Sequence, residues 1–136
     1  MTDTILLPTD GSEHARRATA HAVALAKQHD ATLYAVFVVD TRDLGEPALS
    51  SIEVLIDEYE DRGRDILDEV RDAAAKHGVT VETRCCHGVP AEEILDLANS
   101  IDADIIVLGE RGETHEKQPG EVTRKLKRKD GRVVVA

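Results

Sequence analysis

Aromatic residues are almost missing from this chain. Tyr34, Phe37 and Tyr59 are the only three, and there is no tryptophan. A core without large rings must be filled by valine, isoleucine, leucine and alanine. Long apolar runs are missing too: none approaches the ~20 residues needed to cross a bilayer. The amino end carries neither a basic stretch nor an apolar signal segment, so a soluble, cytoplasmic protein without membrane contact is expected. Cysteine is limited to the adjacent pair Cys85-Cys86. Neighbouring strand residues point to opposite faces, so a disulfide between them would be strained. Two buried free thiols in a reducing compartment are expected instead. His87 follows directly, but no second ligand pair stands at zinc spacing, and a metal is not expected. Lysine is scarce as well, with six in 136 residues.

What is present is apolar content of 41% and a large excess of acid. The length suits one domain, residues 1–136, with a real core. Net charge is −10. Six of the bases lie between Arg124 and Arg132, and the remainder carries 26 acids against 11 bases. Such a surface disfavours nucleic acid over most of the molecule. High acid with little lysine fits a salt-rich cytoplasm, and a halophilic source is expected.

Strand and helix signals alternate along the whole chain. Thr4–Pro8 is a short apolar run closed by Pro, Asp and Gly, the mark of a buried strand. Ser12 is placed to cap a helix whose Ala15, Ala18, Ala22, Leu25 and Ala26 form a narrow small-residue face. A second strand runs from Leu33 to Val39, and a long helix from about Ser50 to His77, in which Gly63 marks a weak point. Gly78 ends it. Val79 to Cys86 alternates as a half-exposed strand, and Pro90 opens the next helix. Asp104 to Leu108 is the fourth strand. A glycine-bearing loop and a short amphipathic helix with Val122 and Leu126 lead to a fifth, Arg132 to Ala136. Five such alternations predict βαβ units and a parallel sheet covered on both faces. The near-continuous apolar runs of strands one, two and four predict central positions. In such sheets ligands bind at the carboxyl ends of the strands, near Asp10, Val38 and Val39, and Gly109.

The commonest chemistries find no residues. The first strand is followed by Pro8-Thr-Asp-Gly-Ser12, not G-x-G-x-x-G, and no G-K-[ST] triplet occurs. A receiver's acidic pair is absent, with Asp10 standing alone, and there is no nucleophile elbow. His14, His21, His29 and His77 fall on helices or their ends and are expected to face solvent. His115 is expected to be a solvated loop residue. The informative stretch is Gly109-Glu-Arg-Gly112 with Gly120-Glu-Val122. A glycine turn between strand and helix brings backbone N–H groups against an anion. The residue after Gly120, where a hydroxyl would hold phosphate, is the carboxylate Glu121.

Four segments taken in order, Ile5-Leu-Leu-Pro-Thr-Asp-Gly-Ser12, Phe37-Val-Val-Asp40, Gly88-Val-Pro-Ala91 and Ile105-Ile-Val-Leu-Gly-Glu-Arg-Gly112, resemble the universal stress protein family. The resemblance covers essentially the whole chain. It implies a five-stranded parallel sheet of order 3-2-1-4-5 with helices on both faces, of the adenine nucleotide alpha hydrolase-like type. It also implies a stress-response regulatory protein that binds ATP or AMP without fast chemistry, or a dimeric scaffold of the family's non-binding branch. An enzyme is not expected, because no base or nucleophile supports one. By resemblance Asp10, at the end of Pro8 and Thr9, contacts the adenosine end, Val38 contacts adenine, and Leu108 and Gly109 lie along the ribose. Gly112, Gly120 and Val122 lend backbone to the phosphates. The family's nucleotide-binding branch carries G-x2-G-x9-G-[ST]; here seven residues separate Gly112 from Gly120, and Glu121 replaces the hydroxyl. The adenosine half is thus retained and the phosphate half altered. Arg111, Lys117 and Arg124, or a Mg²⁺ or Mn²⁺ ion, would offset Glu121. The apolar strand 132–136 is expected at a sheet edge, where it would pair with a second copy in a homodimer.

Overall fold

A computed structural model describes residues 3–40, 49–109 and 121–136, the side chains of 49–55, 121, 122 and 129 excepted. Strands and helices alternate as β1 (Thr4–Pro8), α1 (Glu13–His29), β2 (Thr32–Asp40), α2 (Leu49–Ala75), β3 (Val81–Gly88), α3 (Pro90–Ser100), β4 (Ile105–Leu108), α4 (Glu121–Lys129) and β5 (Val133–Val135). The strands form one sheet of order β3-β2-β1-β4-β5, and every pairing is parallel. The three strands with unbroken apolar runs are therefore the three interior ones, as doubly covered strands require.

Two apolar clusters cover the two faces. On one, Ile5, Leu7, Leu33, Phe37 and Val107 meet Ala18, Ala22 and Ala26 of α1 and Leu67, Val70 and Ala74 of α2. On the other, Leu6, Val36, Ile106 and Leu108 meet Ile94, Leu97 and Ala98 of α3 and Leu126 of α4. The alanine face of α1 lets that helix approach the sheet closely. Gly63 serves a related purpose. A Cβ there would lie 2.4 Å from Cδ1 of Phe37, so the glycine makes room for the chain's one phenylalanine rather than marking a weak turn.

Three helices hand over to the next strand by the same joint. Asp30, Gly78 and Asp102 adopt left-handed backbone, with φ of 51°, 68° and 51°. The following residue then donates its N–H to the carbonyl five back: Ala31 to Ala26, Val79 to Ala74 and Ala103 to Ala98. This closes helix carbonyls that would otherwise lack partners. The next N–H after two of these joints reaches the start of β1, Thr32 to Asp3 O and Asp104 to Thr4 O, each at 2.9 Å. Asp104 Oδ2 also accepts from the Asp3 and Thr4 N–H groups.

β3 departs from expectation in one respect. Its cysteines are free but not buried: Cys85 is exposed and Cys86 half-buried. β3 is an edge strand, and charged residues of α2 stand beside its carboxyl end. Cys85 there faces Glu60 and Arg64, whereas Cys86 faces Glu93 on the α3 side. Partial burial, reinforced by those carboxylates, raises both thiols above their ordinary range. Neither is an activated nucleophile.

Candidate functional site

The carboxyl end of β1 is built almost wholly by hydrogen bonds local in sequence. The Thr9 N–H continues the ladder to Val36 O at 2.9 Å, which carries the chain one residue past the strand. The Thr9 hydroxyl then accepts from the Gly11 N–H at 3.3 Å, and Asp10 Oδ1 accepts from the Ser12 N–H at 2.9 Å. Aspartate and threonine favour such turns because their short side chains imitate a backbone carbonyl. Gly11 adopts φ of 79°, and Ser12 Oγ accepts from the Ala15 N–H at 3.1 Å as the cap of α1. Ser12 is thus the cap that its place in the sequence predicts.

β4 ends beside this turn. The β1–β4 register pairs Leu6 with Ile106, so Leu108 and Gly109 sit level with Pro8 and Thr9. Gly109 is pressed against the first turn of α1: a Cβ on it would lie 2.8 Å from both the carbonyl carbon and the oxygen of His14. Its lack of a side chain is therefore explained by packing alone, without a ligand. On the other flank, the β1–β2 register pairs Pro8 with Val36, which sets Val38 two residues further towards the same end. Pro8, Thr9 and Leu108 are buried, while Asp10, Val38 and Gly109 are partly exposed. The structure thus gathers Pro8, Thr9, Asp10, Val38, Leu108 and Gly109 at one end of the three central strands. The strand order reverses between β1 and β4, where a parallel sheet leaves its crevice.

Gly112 and Gly120 lie outside the described residues, as do Arg111, His115 and Lys117. Glu121 and Val122 open α4, but their side chains lie outside the description. Arg124 is exposed on that helix. A residue that the sequence did not single out stands next to this region. Thr123 is only 7% exposed, and its hydroxyl donates to Gly109 O at 2.8 Å. Two signals point to it, a β-branched polar residue on a strongly charged helix and its position two after Glu121.

Away from this end, Arg132 is held by Asp130 through its N–H, its Nε and its guanidinium, and it reaches Asn99 and Ala103 O. The Arg132 bond holds the Asp130 carboxyl below its usual range. The Asp3 and Thr4 N–H groups do the same for Asp104. The described histidines place His21, His29 and His77 at the exposed surface and His14 half-buried. His87 meets Glu60 at 3.0 Å. Among the described residues no group of three or more His, Cys, Asp or Glu is placed to hold a metal ion.

Known proteins resemble this chain along its length. The model of the universal stress protein family matches residues 1–129. Universal stress protein MJ0531 of Methanocaldococcus jannaschii is 40% identical over 111 residues, 81% of this chain and 65% of that protein. This chain therefore spans about two-thirds of that relative's length. Among solved structures, the hypothetical protein MJ0577 superposes with a TM-score of 0.87 at 27% identity, covering 100% of this chain and 96% of its own. Two more distant structures share the fold. A universal stress protein in complex with cAMP has a TM-score of 0.72 at 24% identity, covering 99% of this chain and 95% of its own. One from Archaeoglobus fulgidus in complex with dAMP has a TM-score of 0.75 at 21% identity, covering 99% and 97%.

Proposed function

Since this chain belongs to the universal stress protein family, we propose that it is a stress-response regulatory protein that binds an adenine nucleotide without fast chemistry. The observation that carries the reading is the convergence of Pro8, Thr9, Asp10, Val38, Leu108 and Gly109 on the crevice where the strand order reverses. Two proteins of the same fold are in complex with cAMP and dAMP, which supports an adenosine-type ligand. In this reading Asp10 and Val38 face the nucleoside, and Gly112, Gly120 and Val122 offer backbone to the phosphates. Glu121 opposes those phosphates, and Mg²⁺ or Mn²⁺ relieves the opposition.

Titration calorimetry tests this directly. Without divalent metal, AMP or adenosine should bind at least as tightly as ATP. Mg²⁺ should then improve ATP more than AMP. Changing Glu121→Ser should strengthen ATP binding by ~1–3 kcal/mol and leave adenosine unchanged. Equal ATP affinity in wild type and variant would remove Glu121 from the argument. Absence of any nucleotide binding, together with no nucleotide released from the purified protein on denaturation, would favour the scaffold reading. The shortened Gly112–Gly120 spacing and Glu121 are the observations that speak for that second reading.

The assembly we propose is a homodimer through residues 132–136 in the cytoplasm of a halophile. Among the described residues β5 pairs with β4 alone, and Val135 is the large apolar side chain that stands exposed, at 36%. Arg132 is turned back onto Asp130 and Asn99, so it does not shield that edge. No helix among the described residues is long and apolar enough to cross a membrane.

A further inference from the structure

We propose that Thr123 is a positioning residue of the nucleotide site, setting where the amino end of α4 stands above the carboxyl ends of β1 and β4. The inference rests on the nucleotide-binding reading above and adds a residue to it.

Three observations meet at this side chain. Thr123 is one of three buried polar residues among those described, and its hydroxyl spans fourteen residues of chain to reach Gly109 O at 2.8 Å. Its acceptor is confined on one side, because Gly109 packs closely on the His14 carbonyl in the first turn of α1. Finally, Leu126, one turn further along α4, is fully buried against β4 and α3. Leu126 seats the helix on the sheet by apolar contact, which is not directional. The Thr123 bond is directional and fixes the remaining freedom, the slide and rotation of the first turn. That turn presents backbone N–H groups without helical partners, and a phosphate is sensitive to where they stand. Through Gly109 the bond joins α4 to the first turn of α1, which Ser12 caps, so both halves of the site share one frame.

The same bond decides what Thr123 does not do. A hydroxyl has one proton, and here Gly109 O takes it. Thr123 therefore cannot stand in for the hydroxyl missing at Glu121 by donating to a phosphate. Its contribution is placement, and its loss should be felt by the phosphates and not by the nucleoside.

The test compares ATP with adenosine, both by titration calorimetry at fixed Mg²⁺, on wild type, Thr123→Val and Thr123→Ser. Thr19→Val is the control, because the Thr19 hydroxyl also donates to a backbone carbonyl, Ala15 O at 2.9 Å, but within its own helix α1. Thr123→Val should weaken ATP about five- to tenfold, the worth of one hydrogen bond, with adenosine within about twofold. Thr123→Ser should restore ATP binding. Thr19→Val should lower the melting temperature without changing the ATP-to-adenosine ratio. A folded Thr123→Val that binds ATP as wild type does, or that loses ATP and adenosine equally, overturns the proposal. If Thr123→Val does not fold, Thr123→Ala takes its place, and failure of both to fold assigns Thr123 to the fold instead. Wild type binding neither ligand would defeat the nucleotide reading itself, and this inference with it.

Discussion

Replacing Gly109 by alanine separates two reasons for a glycine at the end of β4. If the residue is bare so that a ligand can approach, the nucleotide-free protein should tolerate a methyl group there. The structure argues otherwise. The new Cβ would stand 2.8 Å from the carbonyl carbon and oxygen of His14 and 3.1 Å from the Ala15 nitrogen, where ordinary contacts begin at 3.4 Å. The deficit of about 0.6 Å falls on backbone atoms in a capped helical turn, which cannot rotate aside as a side-chain tip would. Overpacking of this kind costs roughly 1–3 kcal/mol. Against it stands the reduced freedom of the unfolded chain, worth about 0.4–1 kcal/mol in favour of alanine. The clash should win, leaving Gly109→Ala less stable by roughly 1–2 kcal/mol. Gly131 supplies the internal control, since nothing lies within 4 Å of its Cβ position. Gly131→Ala should be stabilised by the entropic contribution alone. Equilibrium urea unfolding of the nucleotide-free proteins measures both, with midpoints moving in opposite directions and by about 0.5–1 M for Gly109→Ala. A Gly109→Ala protein as stable as wild type, yet unable to bind nucleotide, would refute the packing argument and return this glycine to the ligand.

Gly63→Ala should also destabilise, by ~1–3 kcal/mol, although alanine is the better helix former by about 1 kcal/mol; adding Phe37→Leu should recover most of the loss in the same urea assay. Asp104 and Asp130 are both held below the usual carboxylate range, so their contribution is complete above the unfolded value near ~3.9 and disappears as pH falls through the folded values. The melting temperature should therefore be nearly level from pH 7 to about 5 and drop below about 4. Asp104→Asn and Asp130→Asn should each shrink that drop when melting is followed by circular dichroism. Light scattering at micromolar concentration should report a dimer, and deletion of Val133–Ala136 should yield a monomer; a dimer that survives the deletion excludes the β5 edge.

The sheet was legible because its interior strands are written as unbroken apolar runs, Ile5-Leu-Leu and Ile105-Ile-Val-Leu108 among them. Those positions are buried on both faces whatever surrounds them. The half-covered edge strand was less so. Alternation along β3 assigns each residue to a face, and it did so correctly, but it cannot say which residues of the covering helix stand opposite. Cys85 stands beside Glu60 and Arg64 of α2 and is exposed. The three glycines Gly11, Gly63 and Gly109 were visible as letters, but their reasons were not. Each faces a group distant in sequence, namely Ile66, Phe37 and the His14 carbonyl. The turn after β1 was readable because residues 9–15 close on themselves through bonds two and three residues long. Thr123 was not, because its partner lies fourteen residues away and only the folded chain brings them together.

The joint that ends three helices also bears on the chain's acidity. Two of its three left-handed positions carry aspartate where Gly78 shows what the geometry prefers. An L-residue pays a conformational penalty there that glycine avoids. Asp30 and Asp102 also place negative charge at the negative end of a helix, an arrangement worth roughly 0.3–1 kcal/mol against folding at low ionic strength. Concentrated salt removes much of the second burden, since the screening length falls to about 3 Å at 1 M, while the first is indifferent to salt. Asp30→Gly should therefore stabilise the protein in dilute buffer and less so in molar KCl, and Asp102→Gly should gain less, because the Asp102 charge also attracts Arg132. At these two corners the acidic surface works against local structure, and the medium decides by how much.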